Sequence, residues 1–297
     1  MSIQWPLVFF TLFIGLGCGT FVGSVILTEW YGKAKQIRII SSTIAIVSIG
    51  VGGMSSTLHL GHPERMFGAL AHPTSGIFLE STMSFLLGIA IIVYLLALRR
   101  NASDATCKII GTVGAVLAVV LTFVNGDAYV MASIPAWNTL ILPVFYLVSA
   151  AVMGCFSIGV LLARTATCDT ATTKVMTAET AATTETAAAA SMIKRSALIA
   201  LFLQAVVLVA YLTHIAIAPY PDVTRSVTRV LAGNLALLFW GGLILLGLLV
   251  PAALMTRFYT KNNEGILVKL GLCSVLAAGI AFRVMMFLLG SSVKQYF

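Results

Sequence analysis

The sequence predicts an all-α, polytopic integral membrane helix bundle with about eight transmembrane helices. Of its 297 residues, 59% are hydrophobic and only 9% are charged, whereas a soluble domain carries about 25% charged residues. The mean hydropathy is +1.02, so there is too little polar material to cover the outside of the protein in water. The apolar runs are about 20 residues long, which suits a helix crossing a ~30 Å hydrocarbon core and not the roughly ten-residue alternating strands of a membrane barrel.

Eight apolar runs predict the spans in chain order. We expect them near residues 6–28, 37–58, 77–98, 107–126, 139–163, 195–218, 230–256 and 266–290. No Lys or Arg precedes the first run, and it is longer than the core of a signal peptide. We therefore expect it to be retained as a transmembrane helix.

The basic residues of the loops predict the orientation. Most of the 18 Lys and Arg residues lie in the loops that follow the first, third, fifth and seventh spans. Because short cytoplasmic loops are enriched in Lys and Arg, both termini are predicted to lie on the periplasmic, outer side of a bacterial cytoplasmic (inner) membrane. The net charge of +8 is spread over these loops without forming a patch, which argues against nucleic acid as a partner.

A Thr/Ala-rich stretch, residues 165–194, interrupts the series of spans. We interpret it as a cytoplasmic linker between residues 1–164, which hold spans 1 to 5, and residues 195–297, which hold spans 6 to 8. The five cysteines include no C-x-x-C pair, so we expect no disulfide framework, iron–sulfur cluster or other metal site in this chain.

Under this topology the ionisable side chains gather near the outer face. They are His59, His62, His72, His214, Glu80, Asp127, Asp222 and Arg283. An ionisable residue within a span costs at least ~2.5–3.5 kcal/mol at the membrane centre, so such residues usually face a cavity or one another. A neutral His accepts a proton near pH 7 and a carboxylate passes it on, which is the chemistry needed to oxidise a quinol. The same pattern also fits a transporter pocket.

Several of these residues, and Trp137, also have a purely structural explanation. His59 ends a span and is compatible with a solvated interface, and His62 precedes a proline that favours extended loop geometry. Glu80 near a helix N-terminus is stabilised by the helix dipole. Arg283 can extend its side chain to lipid headgroups, and Trp137 reads as an interfacial anchor.

Haem ligation by two histidines is disfavoured. Only His59 with His214 forms a conceivable pair, because the inner half of the predicted bundle holds no histidine. We therefore expect a chain without haem.

A motif stands at the end of the second span: H-L-G-x-P-x-R, which is His59-Leu60-Gly61-His62-Pro63-Glu64-Arg65. This motif resembles that of the membrane-anchor family of dimethyl sulfoxide reductase. Further similarities are Trp5-Pro6-Leu7 with Phe10-Thr11 in the first span, Glu80 at the acidic position of the family, Ile134-Pro135-Ala136-Trp137-Asn138-Thr139 preceded by Tyr129, and Arg283 in the last span. Where the family carries an acid four residues before this arginine, the chain has Gly279.

The resemblance implies a haem-free subunit that anchors two partners and oxidises menaquinol in anaerobic respiration. The partners would be a four-cluster iron–sulfur subunit, which receives the electrons, and a molybdopterin catalytic subunit, in a periplasmic hetero-trimer. The chemistry of the terminal acceptor would belong to the catalytic subunit.

The resemblance also implies site residues. His59 would be the base or hydrogen-bond partner of the quinol and Glu80 its proton acceptor, with Arg65 and Arg283 completing the quinol-binding set. His62, Arg65 and Trp137 would face the partners. Two alternatives remain at this point: a quinone-linked anchor of the polysulfide or tetrathionate type, and a secondary transporter, which would show repeats and broken helices near the midplane.

Overall fold

A computed structural model of the protein describes residues 3–57, 76–172, 178–218, 221–257 and 264–290. Every regular element in these ranges is helical. The elements are α1 (Trp5–Val25, continued by a π-helical turn, Ile26–Trp30), α2 (Arg38–Thr57), α3 (Gly76–Arg99), α4 (Asp104–Asp127), α5 (Ile141–Thr172), α6 (Ala178–Ala216), α7 (Pro221–Leu231), α8 (Leu237–Thr256) and α9 (Glu264–Leu289).

The structure confirms the predicted number of spans. Within the described ranges, eight helices are long and apolar enough to cross a bilayer. They are Trp5–Trp30, Lys35–Thr57, Gly76–Arg99, Asp104–Asp127, Ile141–Thr165, Ala187–Ala216, Leu237–Thr256 and Gly265–Leu289. The chain is therefore a multi-pass membrane protein.

The predicted start of the seventh span at residue 230 is wrong. The chain forms a separate amphipathic helix, α7, and then a turn before α8 begins at Leu237. In this turn the Leu235 amide donates to the Arg229 carbonyl at 3.0 Å, and Arg229 Nε donates to Asn234 Oδ1 at 3.2 Å. Gly233 and Asn234 are turn-forming residues, and they end the helix although the surrounding sequence is apolar.

Helical structure also extends into the Thr/Ala-rich stretch. α5 continues to Thr172 and α6 begins at Ala178, so most of the backbone of residues 165–194 is helical. Alanine has the highest intrinsic helix propensity, which explains why this polar stretch prolongs both neighbouring spans.

Helices α1, α5 and α9 form the centre of the bundle. Their membrane-spanning windows are 72%, 67% and 67% buried, against at most 39% for the others. α1 and α5 touch through their backbones: a Cβ added to Gly19 would lie 1.9 Å from the Ala150 carbonyl oxygen, and one added to Gly154 would lie 2.2 Å from the Gly19 carbonyl oxygen. Small residues at membrane helix interfaces allow this close approach.

The first part of α8, Leu237–Leu249, is π-helical. A π-helix alters the backbone hydrogen-bond pattern and needs partners from elsewhere. Ser274 of α9 supplies one, since its hydroxyl donates to the Leu246 carbonyl at 2.5 Å. Gly242 and Gly247 lie against α9, where added Cβ atoms would come within 2.6 Å and 3.0 Å of alanine side chains.

The two ends of the bundle differ in chemistry. One end, which we name the basic end, contains the connections at residues 31–37 and 100–103. There Arg38 Nη2 donates to Glu29 Oε2 at 2.9 Å, and the Tyr94 hydroxyl also donates to Glu29. Lys35 forms an ion pair with Asp104 at 2.9 Å. The opposite end contains the start of α1, the connection at residues 128–140 and the end of α9. We name it the aromatic end.

Candidate functional site at the aromatic end

The connection between α4 and α5 is held against two other helices. Trp137 Nε1 donates to the Met286 carbonyl of α9 at 2.9 Å, and the Tyr211 hydroxyl of α6 donates to the Ala136 carbonyl at 3.0 Å. Trp137 is only 4% exposed. Its indole therefore packs inward and anchors the connection, while its predicted role at a partner interface stays a prediction.

Tyr129 lies at the centre of an aromatic cluster. Its ring stacks on Tyr146 with centroids 6.1 Å apart, and meets Trp137 and Phe287 edge to face at 5.8 Å and 6.0 Å. Edge-to-face and offset arrangements are favoured by the ring quadrupoles. These contacts join the connection at residues 128–140 to α5 and α9.

Arg283 lies beneath this cluster and is 1% exposed. Its Nε donates to the Thr11 hydroxyl at 2.6 Å, its Nη2 to the Thr11 carbonyl at 3.0 Å and its Nη1 to the Gly279 carbonyl at 3.0 Å. The guanidinium carbon lies 4.9 Å from the Tyr146 ring centroid. No described carboxylate forms an ion pair with Arg283, so uncharged oxygens and a ring face satisfy this cation.

Gly279, at the position where the family carries an acid, leaves little room for a side chain. A Cβ there would lie 2.7 Å from Leu12 Cδ1 and 3.4 Å from Arg283 Nη1. The carbonyl of Gly279 takes the place of a carboxylate as acceptor. The guanidinium of Arg283 thus keeps its positive charge uncompensated by any described acid.

Tyr129 reports the electrostatics of this region. Burial raises the pKa of its phenol well above the ordinary value, and the nearby Arg283 cation acts in the opposite direction. Glu80 lies in the second turn of α3 and is partly buried. The start of α3 lies beside the connection, because a Cβ on Gly76 would lie 3.6 Å from Ala128 Cβ, so the tertiary structure brings Glu80 and Arg283 to the same end of the bundle.

The remaining predicted site residues, His59, His62 and Arg65, lie outside the described residues, as does His72. The described chain on either side indicates where their segment starts and ends. In α2 a Cβ on Gly52 would lie 3.1 Å from the Phe10 carbonyl near the start of α1, and one on Gly76 would lie 3.6 Å from Ala128 Cβ. Both flanking helices therefore have these ends at the aromatic end.

Sequence reasoning did not single out Tyr146 or Asn125, and it noted Thr11 only as part of the resemblance, without a role. Thr11 and Tyr146 become important only through Arg283, which is distant in sequence. Asn125 near the end of α4 is 1% exposed, and neither of its side-chain polar atoms has a partner among the described residues. The sequence signal for Asn125 is that it places a polar amide side chain near the end of an otherwise apolar span. His214 Nε2, near the end of α6, is likewise buried without a described partner.

Comparison with known proteins identifies the family. No curated protein matches the sequence at a significant level. The model of the family described as DMSO reductase anchor subunit (DmsC) matches residues 1–289, which is nearly the whole chain. Members of such a family are membrane anchors that associate with the catalytic and iron–sulfur subunits of a DMSO reductase complex. This match, together with the eight apolar spans of the described residues, shows that the chain belongs to the DMSO reductase anchor subunit family.

Proposed function

We propose that this subunit oxidises menaquinol at the aromatic end and passes the electrons to the iron–sulfur subunit of a molybdopterin oxidoreductase in anaerobic respiration. The observation that carries the proposal is that Glu80 and the buried Arg283 lie at the same end of the bundle as the Tyr129–Tyr146 pair, with Arg283 against the Tyr146 ring. A carboxylate, a buried cation and aromatic rings are the groups that a quinol ring needs in order to bind and lose protons.

Each residue has a distinct role in this proposal. Oxidation of a quinol to a quinone releases two protons and two electrons. Glu80 accepts a proton from one ring hydroxyl, and His59 accepts the other proton or holds the hydroxyl in place. When the first proton has left, the ring oxygen carries negative charge, and the positive field of Arg283 stabilises that charge in a medium of low dielectric constant.

The electrons leave the chain through its partner. A four-cluster iron–sulfur subunit docks at the aromatic end, and a molybdopterin catalytic subunit completes the hetero-trimer. Arg65, His62 and Trp137 lie in or beside the segments that would face it. The positive-inside rule supports a periplasmic location for this end, because the cationic loops lie at the opposite end in a cytoplasmic membrane.

Binding of a quinol analogue tests this site. Membranes containing the complete complex are titrated with a fluorescent quinol analogue, comparing wild type with Glu80→Gln and His59→Ala. A matched carboxylate control is Asp104→Asn, because Asp104 is exposed at the basic end. We expect both site variants to assemble and lose at least about tenfold in affinity, equivalent to about 1.4 kcal/mol, while the control binds like wild type. Unchanged binding and turnover in both site variants would refute the site.

A further inference from the structure

A lateral cleft opens between α1, α4, α5 and α6, away from the aromatic cluster. Its volume is about 260 Å³, and residues lining it include Cys18, Val22, Ile26, Thr122, Ala151 and Ile193. Three of its lining side chains are exposed at the surface of the bundle: Ile26 is 46% exposed, Val119 44% and Tyr31 59%. Because Ile26 and Val119 belong to spans, the cleft opens towards the hydrocarbon of the bilayer.

Small residues create the cleft. Its lining includes Gly19 and Gly23 of α1, Ala150 and Ala151 of α5, and Ala118 of α4. The backbones of Gly19 and Ala150 are in contact, so α1 and α5 meet directly beside the cleft. An apolar groove gains dispersion contacts when apolar atoms fill it. In a bilayer the surrounding apolar groups are the acyl chains of lipids.

The length of the cleft matches one leaflet. It extends from Cys18, near the middle of α1, to Tyr31 just after the π-helical turn at the basic end. From Cys18 to Tyr31 a helix rises roughly 20 Å at 1.5 Å per residue. Half of a ~30 Å hydrocarbon core plus the start of the headgroup region has a similar depth. The cleft therefore suits a chain that enters from the leaflet at the basic end.

Charge at the mouth of the cleft indicates which lipid it suits. Met192 and Ser196 line the cleft, and the exposed Arg195 lies at the edge of this face of α6, about one turn after Met192. Lys33 follows two residues after Tyr31. Neither cation forms an ion pair with a described carboxylate, since Glu29 and Asp104 pair with Arg38 and Lys35. Basic pockets between transmembrane helices on the cytoplasmic side attract anionic headgroups.

The position of the cleft argues against the tail of a quinol as its occupant. The proposed quinol site lies near Thr11 and Arg283, and Tyr31 is about 30 Å further along α1 at 1.5 Å per residue. A quinol bound there would have its polar ring at the opposite end from Arg195 and Lys33. The cationic mouth would then face a hydrocarbon tail, with no group for the cations to bind.

We propose that this cleft is a binding site for an anionic phospholipid, whose acyl chain lies along α1 between α5 and α6 and whose phosphate contacts Arg195 and Lys33. The site is independent of quinol oxidation. Its role is to fill the groove between α1, α4, α5 and α6 and so to stabilise the docking of α6 on α5.

Lipid-dependent thermal stability of the purified complex tests the proposal. Delipidated complex is titrated with phosphatidylglycerol, with phosphatidylcholine of the same acyl chains, and separately with menaquinone. Arg195→Gln removes a headgroup contact, Ala151→Phe fills the cleft from its exposed side, and Lys269→Gln is the control, an exposed cation of α9 that does not line the cleft. Co-purification of the partner subunits verifies that each variant assembles, and Ala151→Leu replaces Ala151→Phe if assembly is lost.

We expect phosphatidylglycerol to stabilise the wild type more than phosphatidylcholine does. One surface cation is worth about 1 kcal/mol towards an anionic lipid, so Arg195→Gln should weaken phosphatidylglycerol binding about fivefold. Filling the cleft should abolish the response, and Lys269→Gln should leave it unchanged. Equal stabilisation by both phospholipids would overturn the proposal. So would stabilisation by menaquinone that is lost in Ala151→Phe and kept in Arg195→Gln, because the cleft would then be a quinone site.

Discussion

Arg283 of α9 donates to Thr11 of α1 through two nitrogens, Nε to the hydroxyl at 2.6 Å and Nη2 to the carbonyl at 3.0 Å. This contact joins the last described span to the first. It also means that the cation of the proposed quinol site is positioned by an uncharged residue near the start of the chain. Because no described carboxylate neutralises Arg283, its positive charge can act on a quinol bound beside the Tyr129–Tyr146 pair.

Removing the hydroxyl of Thr11 should destabilise the bundle. In Thr11→Val one buried N–H of Arg283 loses its acceptor, which costs roughly 1–3 kcal/mol. Thermal unfolding of the purified complex measures the effect. Thr43→Val is the matched control, because its hydroxyl is exposed and bonds only within its own helix at 2.8 Å. Equal shifts in both variants would show that the Arg283 contact contributes nothing.

The charge of Arg283 should matter to quinol binding beyond its contribution to packing. Arg283→Lys retains the cation but loses the paired donation to Thr11, whereas Arg283→Gln loses both. We expect the lysine variant to bind a quinol analogue about tenfold more tightly than the glutamine variant, a difference of about 1.4 kcal/mol. Fluorescence titration of assembled complexes measures this difference. Equal affinities in the two variants would assign Arg283 a structural role alone.

Glycine should be required at position 279 for steric reasons. The added methyl of Gly279→Ala meets Leu12 Cδ1 at 2.7 Å, and overpacking of this kind costs about 1–3 kcal/mol. At Gly50 of α2 an added Cβ meets nothing within 4 Å. Because alanine is the better helix former, Gly50→Ala should be neutral or stabilising by up to about 1 kcal/mol. Comparison of the two unfolding temperatures checks this, and a stabilising Gly279→Ala would contradict it.

The aromatic end should be reachable from the periplasm. In a variant without native cysteines, Met131→Cys, in the connection at residues 128–140, should react with a membrane-impermeant maleimide in spheroplasts. Asn101→Cys, between α3 and α4 at the basic end, should react only after the membrane is opened. The positive-inside rule is the reason for this expectation. The reverse labelling pattern would invert the orientation and the assignment of the partner side.

Quinol oxidation should release its protons on the side of the aromatic end. If the terminal reduction consumes protons on the same side, turnover is nearly electroneutral. Vesicles of known orientation with an enclosed pH dye measure the release directly. Protons appearing at the side of the basic end would rule out a proton exit at Glu80.

Several features of the fold followed from the sequence alone. Runs of about 20 apolar residues predict spans by length, because the hydrocarbon core leaves the backbone no other way to satisfy its hydrogen bonds. The same reasoning was wrong at the start of α8, where Gly233 and Asn234 turn the chain inside an apolar run. Local turn chemistry there outweighed hydropathy.

The candidate site was predictable only in part. Glu80 and Arg283 could be singled out because an ionisable side chain in a span is costly and therefore has a use. Their common neighbours could not be identified in this way, because Thr11, Tyr129 and Tyr146 have no unusual chemistry in an apolar sequence. Only the fold shows that Thr11 and Tyr146 contact Arg283 and that Tyr129 stacks on Tyr146.

The sequence by itself determined that this chain crosses a membrane about eight times, because the free energy of moving apolar residues from water into lipid sets the spans. It also shows which of the predicted loops are cationic. The tertiary structure alone decided that α1, α5 and α9 form the centre, that Gly279 offers a carbonyl to Arg283 in place of an acid, and that a lateral cleft beside Gly19 opens to the bilayer. These features depend on how closely two helices approach, which is a property of side-chain shape across helices and not of the hydropathy of any one of them.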